Sequence, residues 1–310
     1  MRSKNEIGNK LKRRQVFAKQ KEERKKAKIE ARRLKKEKIA ERIAAGATLA
    51  DIEKEKEVPR TLDSMREKDD TMLQANSVDT GDEVRGDVAD DEFAKFEDPH
   101  NVPAKIMITT RPRPSKHLFG FISEIVSMLP NTYFYPRRSF TLKDICKFAA
   151  NKKFTHLIVL HERLKKCNTM IVSGLPHGPT ACFKVSSVVS GEEISGHGRK
   201  TDHIPEVVLN NFKTRLGLRI GRMLGSMFPQ DPEFEGRRVV TFHNQRDYIF
   251  VRHHRYIFES GKRARLQELG PRFTLKLRWL QESTFSTKEG EYEFFFKRRE
   301  VESSRRRFFL

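Results

Sequence analysis

A seventeen-residue segment that occurs twice constrains the fold of this chain more than any other feature. Ser115–Asn131 aligns without gaps on Thr214–Gln230. Each copy begins with a hydroxyl residue and a base, and each ends in Ser-Met, an apolar residue, Pro and an amide. Such ends are typical of a capped helix. At the same offset upstream, Ile106–Thr110 aligns with Pro205–Leu209, and both segments fit short strands. Two amphipathic helices can be alike by chance, but the shared ends favour two related α/β halves.

The clearest strand runs from Glu268 to Gln281. Pro271 fixes φ at its entry, after the turn signal Gly-Pro. Beyond it, large apolar residues alternate with Thr and basic residues, which is the period-two pattern of a half-buried strand. We expect the apolar set in the core and the other set on an outer face. The apolar set is Phe273, Leu275, Leu277 and Trp279, and the outer set is Thr274, Lys276 and Arg278.

Apolar periodicity and turn signals place further elements in both halves. In the first half we predict a helix from Ser115 to about 129 and a second from Thr141 to about 151. Strands follow near 154–161, 169–173 and 181–185. In the second half we predict strands near 206–209, 238–243, 248–253, 255–258 and 292–296. The predicted fold class is therefore α/β, with two pseudo-symmetric halves.

The sign of the charge divides the rest of the chain. Residues 1–41 hold 17 basic and 6 acidic residues, about +11 net, with only a thin apolar stripe; residues 69–98 hold 11 acidic and 2 basic residues, about −9 net. We predict a basic helical arm over 1–58 that orders on a partner, and an acidic disordered linker over 59–101. The α/β domain then covers 102–300, with halves of about 102–190 and 200–300. A basic and aromatic tail covers 301–310.

The whole chain carries 63 Lys and Arg against 42 Asp and Glu, a formal net charge of +21. Such a surplus predicts an acidic partner, most often nucleic acid and sometimes anionic lipid. No apolar run approaches the roughly 20 residues of a membrane span, and we see no signal peptide, so we expect a soluble intracellular protein without a membrane partner. Cys146, Cys167 and Cys182 lack C-x-x-C spacing and are expected to be reduced thiols.

Twelve basic residues are the candidates for binding the phosphates of a nucleic acid. Those beside Ser115 and Thr214 lie at predicted helix N-termini, where free N–H groups and the helix dipole favour an anion. Others follow the Tyr-Phe-Tyr-Pro segment 133–136, lie in the loop 191–200, or stand on the outer face of strand 268–281. The alternative for each is charge that only solvates the surface. The candidates are Arg111, Arg113, Lys116, Arg137, Arg138, Arg199, Lys200, Lys213, Arg215, Arg272, Lys276 and Arg278.

Four further residues adjoin these candidates. We expect Arg237 and Arg238, like the arginines at 137 and 138, to extend the basic surface at the two helix N-termini. Tyr133 and Tyr135 suit stacking on bases, although packing in a strand or loop suits them equally.

The chain shows no convincing catalytic or cofactor motif. Gly191–Gly196 begins like a phosphate-binding loop, but His197 and Gly198 stand where Lys and Ser or Thr should follow, so a loop joining the halves is preferred. His253 and His254 are adjacent, and on a strand they point to opposite faces and do not readily share an ion. No Ser-His-Asp set and no carboxylate pair stands out. We therefore predict no enzyme activity, no cofactor and no metal.

With these elements in place, the chain resembles the Brix-domain family. The resemblance lies in the Ile-Thr-Thr-Arg-Pro-Arg-Pro-Ser segment 108–115, the duplicated halves, and the strand that begins Glu-Leu-Gly-Pro-Arg-Phe at 268. The segments 133–138 and 175–180 add to it, and together these features span about 102–300. The resemblance implies halves similar to anticodon-binding domains. It also implies a non-enzymatic nucleolar and nuclear factor that binds precursor rRNA in large-subunit assembly, among preribosomal proteins and with a dedicated assembly-factor partner.

Two functions from different classes remain open at this point. The first is an RNA-binding assembly factor whose basic strand faces and helix ends bind precursor rRNA mainly through phosphates. The second is a protein-interaction scaffold within a preribosomal complex, with incidental RNA contact. In that case the face that carries Lys276 and Arg278 would bind an acidic or strand-donating partner.

Overall fold

The fold is described from a computed structural model. The structure describes residues 9–44, 60–67, 69, 71–72, 91–96, 103–261, 263–285, 290–297, 304 and 306–310. Much of the predicted acidic linker, including 73–90, lies outside these described residues. The chain forms two compact units, Met1–Thr61 and Leu62–Leu310.

The first unit contains one long helix, α1, over Lys10–Ala44. At 1.5 Å per residue it is about 52 Å long. Asn9 caps it by accepting hydrogen bonds from the backbone N of Leu11 at 2.9 Å and of Lys12 at 3.3 Å. Four large apolar side chains of α1 are exposed, as a thin stripe predicts: Leu11, Phe17, Ile29 and Leu34. The helical character of the arm is confirmed, whereas its ordering on a partner remains a prediction.

The second unit is built on one sheet. Its strands are β1 Ile106–Thr110, β2 Thr132–Phe134, β3 His156–Arg163, β4 Lys166–Gly174, β5 Thr180–Val189, β6 Glu206–Asn210, β7 Arg238–Gln245, β8 Tyr248–Ser260, β9 Arg263–Glu268, β10 Arg272–Gln281 and β11 Tyr292–Phe295. Its helices are α2 Lys116–Met128, α3 Leu142–Asn151 and α4 Arg215–Gly225.

The strand order shows the duplication: β2-β1-β3-β4-β5-β10-β8-β7-β6. In the first half β1 pairs parallel with β3, and β4 and β5 follow antiparallel. In the second half β6 pairs parallel with β7, and β8 and β10 follow antiparallel. β5 and β10 pair antiparallel and join the halves. The prediction of two pseudo-symmetric α/β halves is confirmed.

The two faces of the sheet are covered unequally. On one face, Ile125 of α2 and Met223 of α4 belong to a single core with Phe183 of β5. On the other face, Ile145 of α3 packs in a smaller cluster drawn from the first half. Between α4 and β7 the short 3-10 helix Phe234–Gly236 stands where the first half has β2 and α3. The second half therefore leaves one sheet face without a helix, as far as the described residues of this unit show.

The repeated Ser-Met ending joins the halves. Arg238, the first residue of β7, donates from Nη2 to the carbonyl oxygen of Ser127 in α2 at 2.7 Å. His156 is the first residue of β3, and its Nε2 lies 3.0 Å from Oγ of Ser226, the equivalent serine after α4. Each helix thus contacts the inner parallel strand of the opposite half, which gives the repeated serine a structural role.

Two features of the second half differ from the prediction. The strands predicted at 248–253 and 255–258 form one long strand, β8, and its partner β9 was not predicted because residues 263–268 lack apolar alternation. Trp279 is only half-buried, because the pairing register shifts between Leu277 and Trp279 and Leu280 takes the core position.

Two short pieces of the predicted disordered linker lie on the second unit. Phe93 is 3% exposed and belongs to the main core. Asp91 accepts a hydrogen bond from Nε of Arg222 in α4 at 2.8 Å. Nearer the N-terminus, Met72 forms a β-bridge with Thr214. The structure differs from the expectation at these points because a buried ring and a largely buried ion pair hold the chain in place.

Candidate nucleic-acid interface

The N-terminus of α2 is an anion site, and a carboxylate of the protein itself occupies it. The prediction that the Ser115 hydroxyl caps this helix is wrong, since it makes no cap hydrogen bond. Instead the Glu162 carboxylate accepts from backbone N of Ser115 at 2.8 Å and from its Oγ at 2.5 Å. Burial alone raises the pKa of Glu162, but the bonds from Ser115 and the charge of Arg111 outweigh burial and hold this pKa below its ordinary value. An RNA phosphate is therefore not expected here.

The N-terminus of α4 is covered by the tail of the chain. Thr214 caps the helix as predicted, and its hydroxyl donates to the carbonyl oxygen of Phe309 at 2.6 Å. Asp247 Oδ1 accepts from backbone N of Phe309 and Leu310 at 2.8 and 2.9 Å. Leu310 is buried in the main core. These last residues of the tail therefore pack on their own domain.

The candidates at the helix ends do not form one surface. The two helices follow β1 and β6, and six strands lie between these two, a path of about 34 Å along the sheet at roughly 4.8 Å per strand. Arg111 is half-buried with Nε 3.9 Å from Glu162. The other candidates at these ends are exposed: Arg113, Lys116, Lys213 and Arg215.

The next candidates are partly engaged within the protein. Nε of Arg137 donates to the carbonyl oxygen of Phe140 at 3.1 Å, whereas Arg138 is exposed. Nζ of Lys200 donates to Oγ of Ser127 at 3.1 Å, and Arg199 beside it is exposed.

Arg238 belongs to no outer surface, so the expectation that it extends the basic surface at the helix N-termini is wrong. It is 3% exposed and donates to the carbonyl oxygens of Thr201, His203 and Ser127. Burial lowers its pKa. Its physical role is to fix the loop between the halves against α2.

β10 carries its basic residues on the predicted outer face, but each has a partner. Nε of Arg272 donates to the Glu268 carboxylate at 2.9 Å. Nζ of Lys276 and the guanidinium carbon of Arg278 lie 4.5 and 5.1 Å from the ring centroid of Phe296. Arg272 is thus partly neutralised, and the other two are oriented by an aromatic ring.

Neighbouring strands extend this outer face into a basic and aromatic surface. Lys276 lies opposite Lys184 of β5 and Tyr248 of β8, with Nζ 4.8 Å from the Tyr248 ring centroid. Phe250 and Arg252 follow on β8, and alternate residues of a strand share a face. His243 of β7 lies opposite Phe250. We name these six residues the sheet platform: Lys184, His243, Tyr248, Phe250, Arg252 and Lys276.

The sheet platform lies on the face without a helix, and its composition suits single-stranded RNA. Bases stack on aromatic rings while cations pair with the phosphates beside them. Tyr248 and Lys184 are exposed, and the other four members are half-buried. Of the predicted candidates, Lys276 belongs to the platform, and Arg272 and Arg278 flank it on the same strand.

Most of the sheet platform was not predicted, although the sequence carries a signal for it. β8 has an aromatic or basic residue at every second position from 248 to 258: Tyr248, Phe250, Arg252, His254, Tyr256 and Phe258. Dividing this segment into two strands hides the alternation, whereas one uninterrupted strand reveals it.

Other chemistry has little support in the described residues. Burial raises the pKa of Cys146 and Cys182 to about 11 and that of Cys167 to about 12, so these free thiols stay protonated at neutral pH and are poor nucleophiles. Among the residues that the structure describes, no group of three or more His, Cys, Asp and Glu is placed to hold a metal ion. None of the described helices is long and apolar enough to cross a membrane.

Comparison with known proteins identifies the class. A family model described as the Brix domain matches residues 112–279, more than half of the chain. The matched stretch includes α2, α4 and most of β10. The chain therefore belongs to the Brix-domain family.

Relatives within this class are similar over most of the chain. A Brix domain-containing protein of Caenorhabditis elegans is 50% identical over 283 residues, 90% of this chain and 72% of that protein. The protein named ribosome production factor 1 from Pongo abelii is 48% identical over 307 residues, 98% of this chain and 84% of that protein. Its namesake from Saccharomyces cerevisiae is 39% identical over 305 residues, 98% and 97% of the two chains.

Proposed function

We propose that this protein is a non-enzymatic ribosome biogenesis factor that binds precursor rRNA during assembly of the large ribosomal subunit, in the nucleolus. Near full-length similarity to proteins named ribosome production factor 1 supports a role in ribosome biogenesis. The large subunit, the nucleolus and the preribosomal partners follow from the family resemblance of the sequence.

The sheet platform is the observation that carries RNA binding. It places three cations, Lys184, Arg252 and Lys276, on three neighbouring strands beside the rings of Tyr248 and Phe250. None of its six members is acidic. Such a surface attracts the backbone of a single strand and offers rings to its bases without demanding one sequence.

The platform is expected to act together with the exposed arginines and α1. The arm adds about eleven net positive charges in residues 1–41, and this charge attracts RNA without specificity. Affinity should therefore fall steeply with salt, and the platform should account for part of the slope.

A second candidate function is a protein-interaction module of a preribosomal complex. The observation that favours it is a group of exposed aromatic side chains around α3, on the first half. Large exposed apolar groups on a folded unit are typical of a surface that binds another protein. This function and RNA binding use different residues, so one protein can have both.

Binding of a fluorescent single-stranded rRNA fragment to the full chain, measured over a range of salt concentrations, tests the proposal. In one variant Lys184→Glu and Lys276→Glu reverse two platform charges. The matched control reverses two exposed lysines at the β3–β4 connection, Lys165 in the turn and Lys166 at the start of β4, with Lys165→Glu and Lys166→Glu, so that the net charge is the same.

We expect the platform variant to bind roughly tenfold more weakly than the control, with a salt slope lower by about 1.4, or 0.7 per lost phosphate contact. Tyr248→Ala should weaken binding severalfold at any salt concentration, whereas Phe234→Ala, an exposed ring on another element, should not. Equal affinities of the platform variant and its charge-matched control would show that the platform does not bind RNA.

A further inference from the structure

A cleft of about 420 Å³ lies on the first half, between α3 and the ends of β1 and β2. Its lining is largely aromatic and aliphatic, with basic residues at the rim. None of its lining residues is acidic. The residues that form its walls are Tyr135, Pro136, Arg137, Phe140, Phe148 and Lys152.

The rings around this cleft are exposed yet held in fixed positions. Tyr135, Phe140 and Phe148 are 41%, 49% and 51% exposed. Phe140 and Phe148 meet edge to face, with centroids 5.8 Å apart and planes at 84°. Tyr135 meets Phe154 in the same way, at 5.9 Å and 87°. The walls are therefore preorganised for a ligand, which reduces the entropy lost on binding.

The cleft also contains a polar group without a partner. Thr109 of β1 lines it and is 1% exposed, and no partner for its hydroxyl oxygen lies among the described residues. A buried hydroxyl is normally hydrogen-bonded, since leaving it unpaired is destabilising. A ligand with one polar atom on an otherwise apolar body would supply this partner after a small rotation of the threonine.

The rim of the cleft is positively charged. Arg137 and Lys152 line it, and Nζ of Lys152 lies 5.5 Å from the Tyr135 ring centroid. Lys143 and Lys147 are exposed on α3 nearby. Acidic groups on either side of an apolar anchor would complement this rim.

We propose that the cleft binds a Trp or Tyr side chain from an acidic segment of a partner protein. The ring would fill the space between Phe140, Phe148 and Tyr135, and its N–H or O–H would pair with the Thr109 hydroxyl. A nucleobase suits the cleft less well, because edge-to-face walls offer no parallel stacking and most polar atoms of a base would be left unpaired. The inference does not depend on RNA binding by the sheet platform.

Two labelled peptides, Asp-Asp-Trp-Asp-Asp and Asp-Asp-Gly-Asp-Asp, test the proposal with the full chain by fluorescence anisotropy. The basic arm attracts both peptides by charge, so the ratio of their affinities isolates the aromatic anchor. We expect the Trp peptide to bind about tenfold or more tightly, the effect of burying one large apolar side chain. Phe140→Ala with Phe148→Ala should bring the ratio near one, whereas the control Phe234→Ala should leave it unchanged.

Both aromatic substitutions are at exposed positions, and an unchanged urea midpoint would show that the fold is retained. A ratio near one in the unmodified protein, or a preference that persists in the double variant, would overturn the proposal. Labelled hexauridylate serves as the third probe. If its affinity falls in the double variant while the two peptides bind alike, the cleft binds a nucleobase and the proposal is wrong.

Discussion

Glu162→Ala tests whether the N-terminus of α2 is filled from within. The change removes the acceptor for the backbone N–H and the hydroxyl of Ser115, bonds of 2.8 and 2.5 Å, from a side chain that is 6% exposed. A hydrogen bond to a charged group contributes roughly 1.5–3 kcal/mol, and an anion at a helix N-terminus adds about 0.3–1 kcal/mol. Because Ser115 can turn its hydroxyl to cap the helix and Arg111 is partly in water, we expect a net loss of about 2–3 kcal/mol.

Urea unfolding of the full chain, followed by tryptophan fluorescence, measures this loss. The protein has one Trp, Trp279 of β10, so the signal reports on the sheet. For a unit of this size the melting temperature should fall by roughly 6 °C. Glu193→Ala is the control, since Glu193 is an exposed glutamate in the loop between the halves.

The effect should also depend on pH with a defined sign. The folded-state pKa of Glu162 lies below its ordinary value, so its contribution is complete above the unfolded pKa of about 4.3 and is lost as pH falls through the folded pKa. The stabilities of the native protein and of Glu162→Ala should therefore converge in acid. Equal urea midpoints for Glu162→Ala and Glu193→Ala at neutral pH, together with tighter RNA binding by the former, would refute the reasoning and restore a phosphate site at this helix end.

Three further predictions follow from buried groups. Phe93→Ala should destabilise the second unit by about 3 kcal/mol in urea unfolding, because this ring is buried in the core. An unchanged free energy of unfolding would show that the segment around Phe93 does not pack on the domain, as the prediction of a disordered linker requires. Burial lowers the pKa of His156 and His253 to about 3. Between pH 7 and 5 these histidines therefore become protonated in the unfolded chain but not in the folded one, and the free energy of unfolding should fall by about 2 kcal/mol per histidine. His156→Gln should remove about half of that decrease, and an unaltered pH profile would contradict this. Arg238→Met should lower the free energy of unfolding by about 3 kcal/mol, because it leaves three carbonyl oxygens without their donor. The exposed Arg199→Met should have little effect in the same urea-unfolding assay.

The local elements of this fold could be predicted from the sequence because each depends on neighbouring residues. The period-two pattern after Pro271 predicted β10, the apolar spacing predicted α2, and the Thr214 cap with a similar spacing predicted α4. The repeat even indicated the pseudo-symmetry, since a duplicated helix needs a duplicated sheet to cover its apolar face. The same reasoning failed at β9, where exposed residues pair with β8 and show no apolar period.

The candidate site depended on contacts between residues that are distant in sequence. Charge near a helix start predicts an anion site, but only the fold brings Glu162 to Ser115 across 47 positions and fills that site. In the same way, the sequence gives no sign that Arg238 differs from a surface arginine, whereas in the fold it is buried against α2 of the other half. The sheet platform joins Lys184, Lys276 and Tyr248 only after β5, β10 and β8 pair. Sequence thus determined the elements, the repeat and the excess positive charge, because periodicity and composition are local properties. Which charges stay available to a partner was decided by tertiary structure, because burial and pairing depend on the register of strands far apart in the chain.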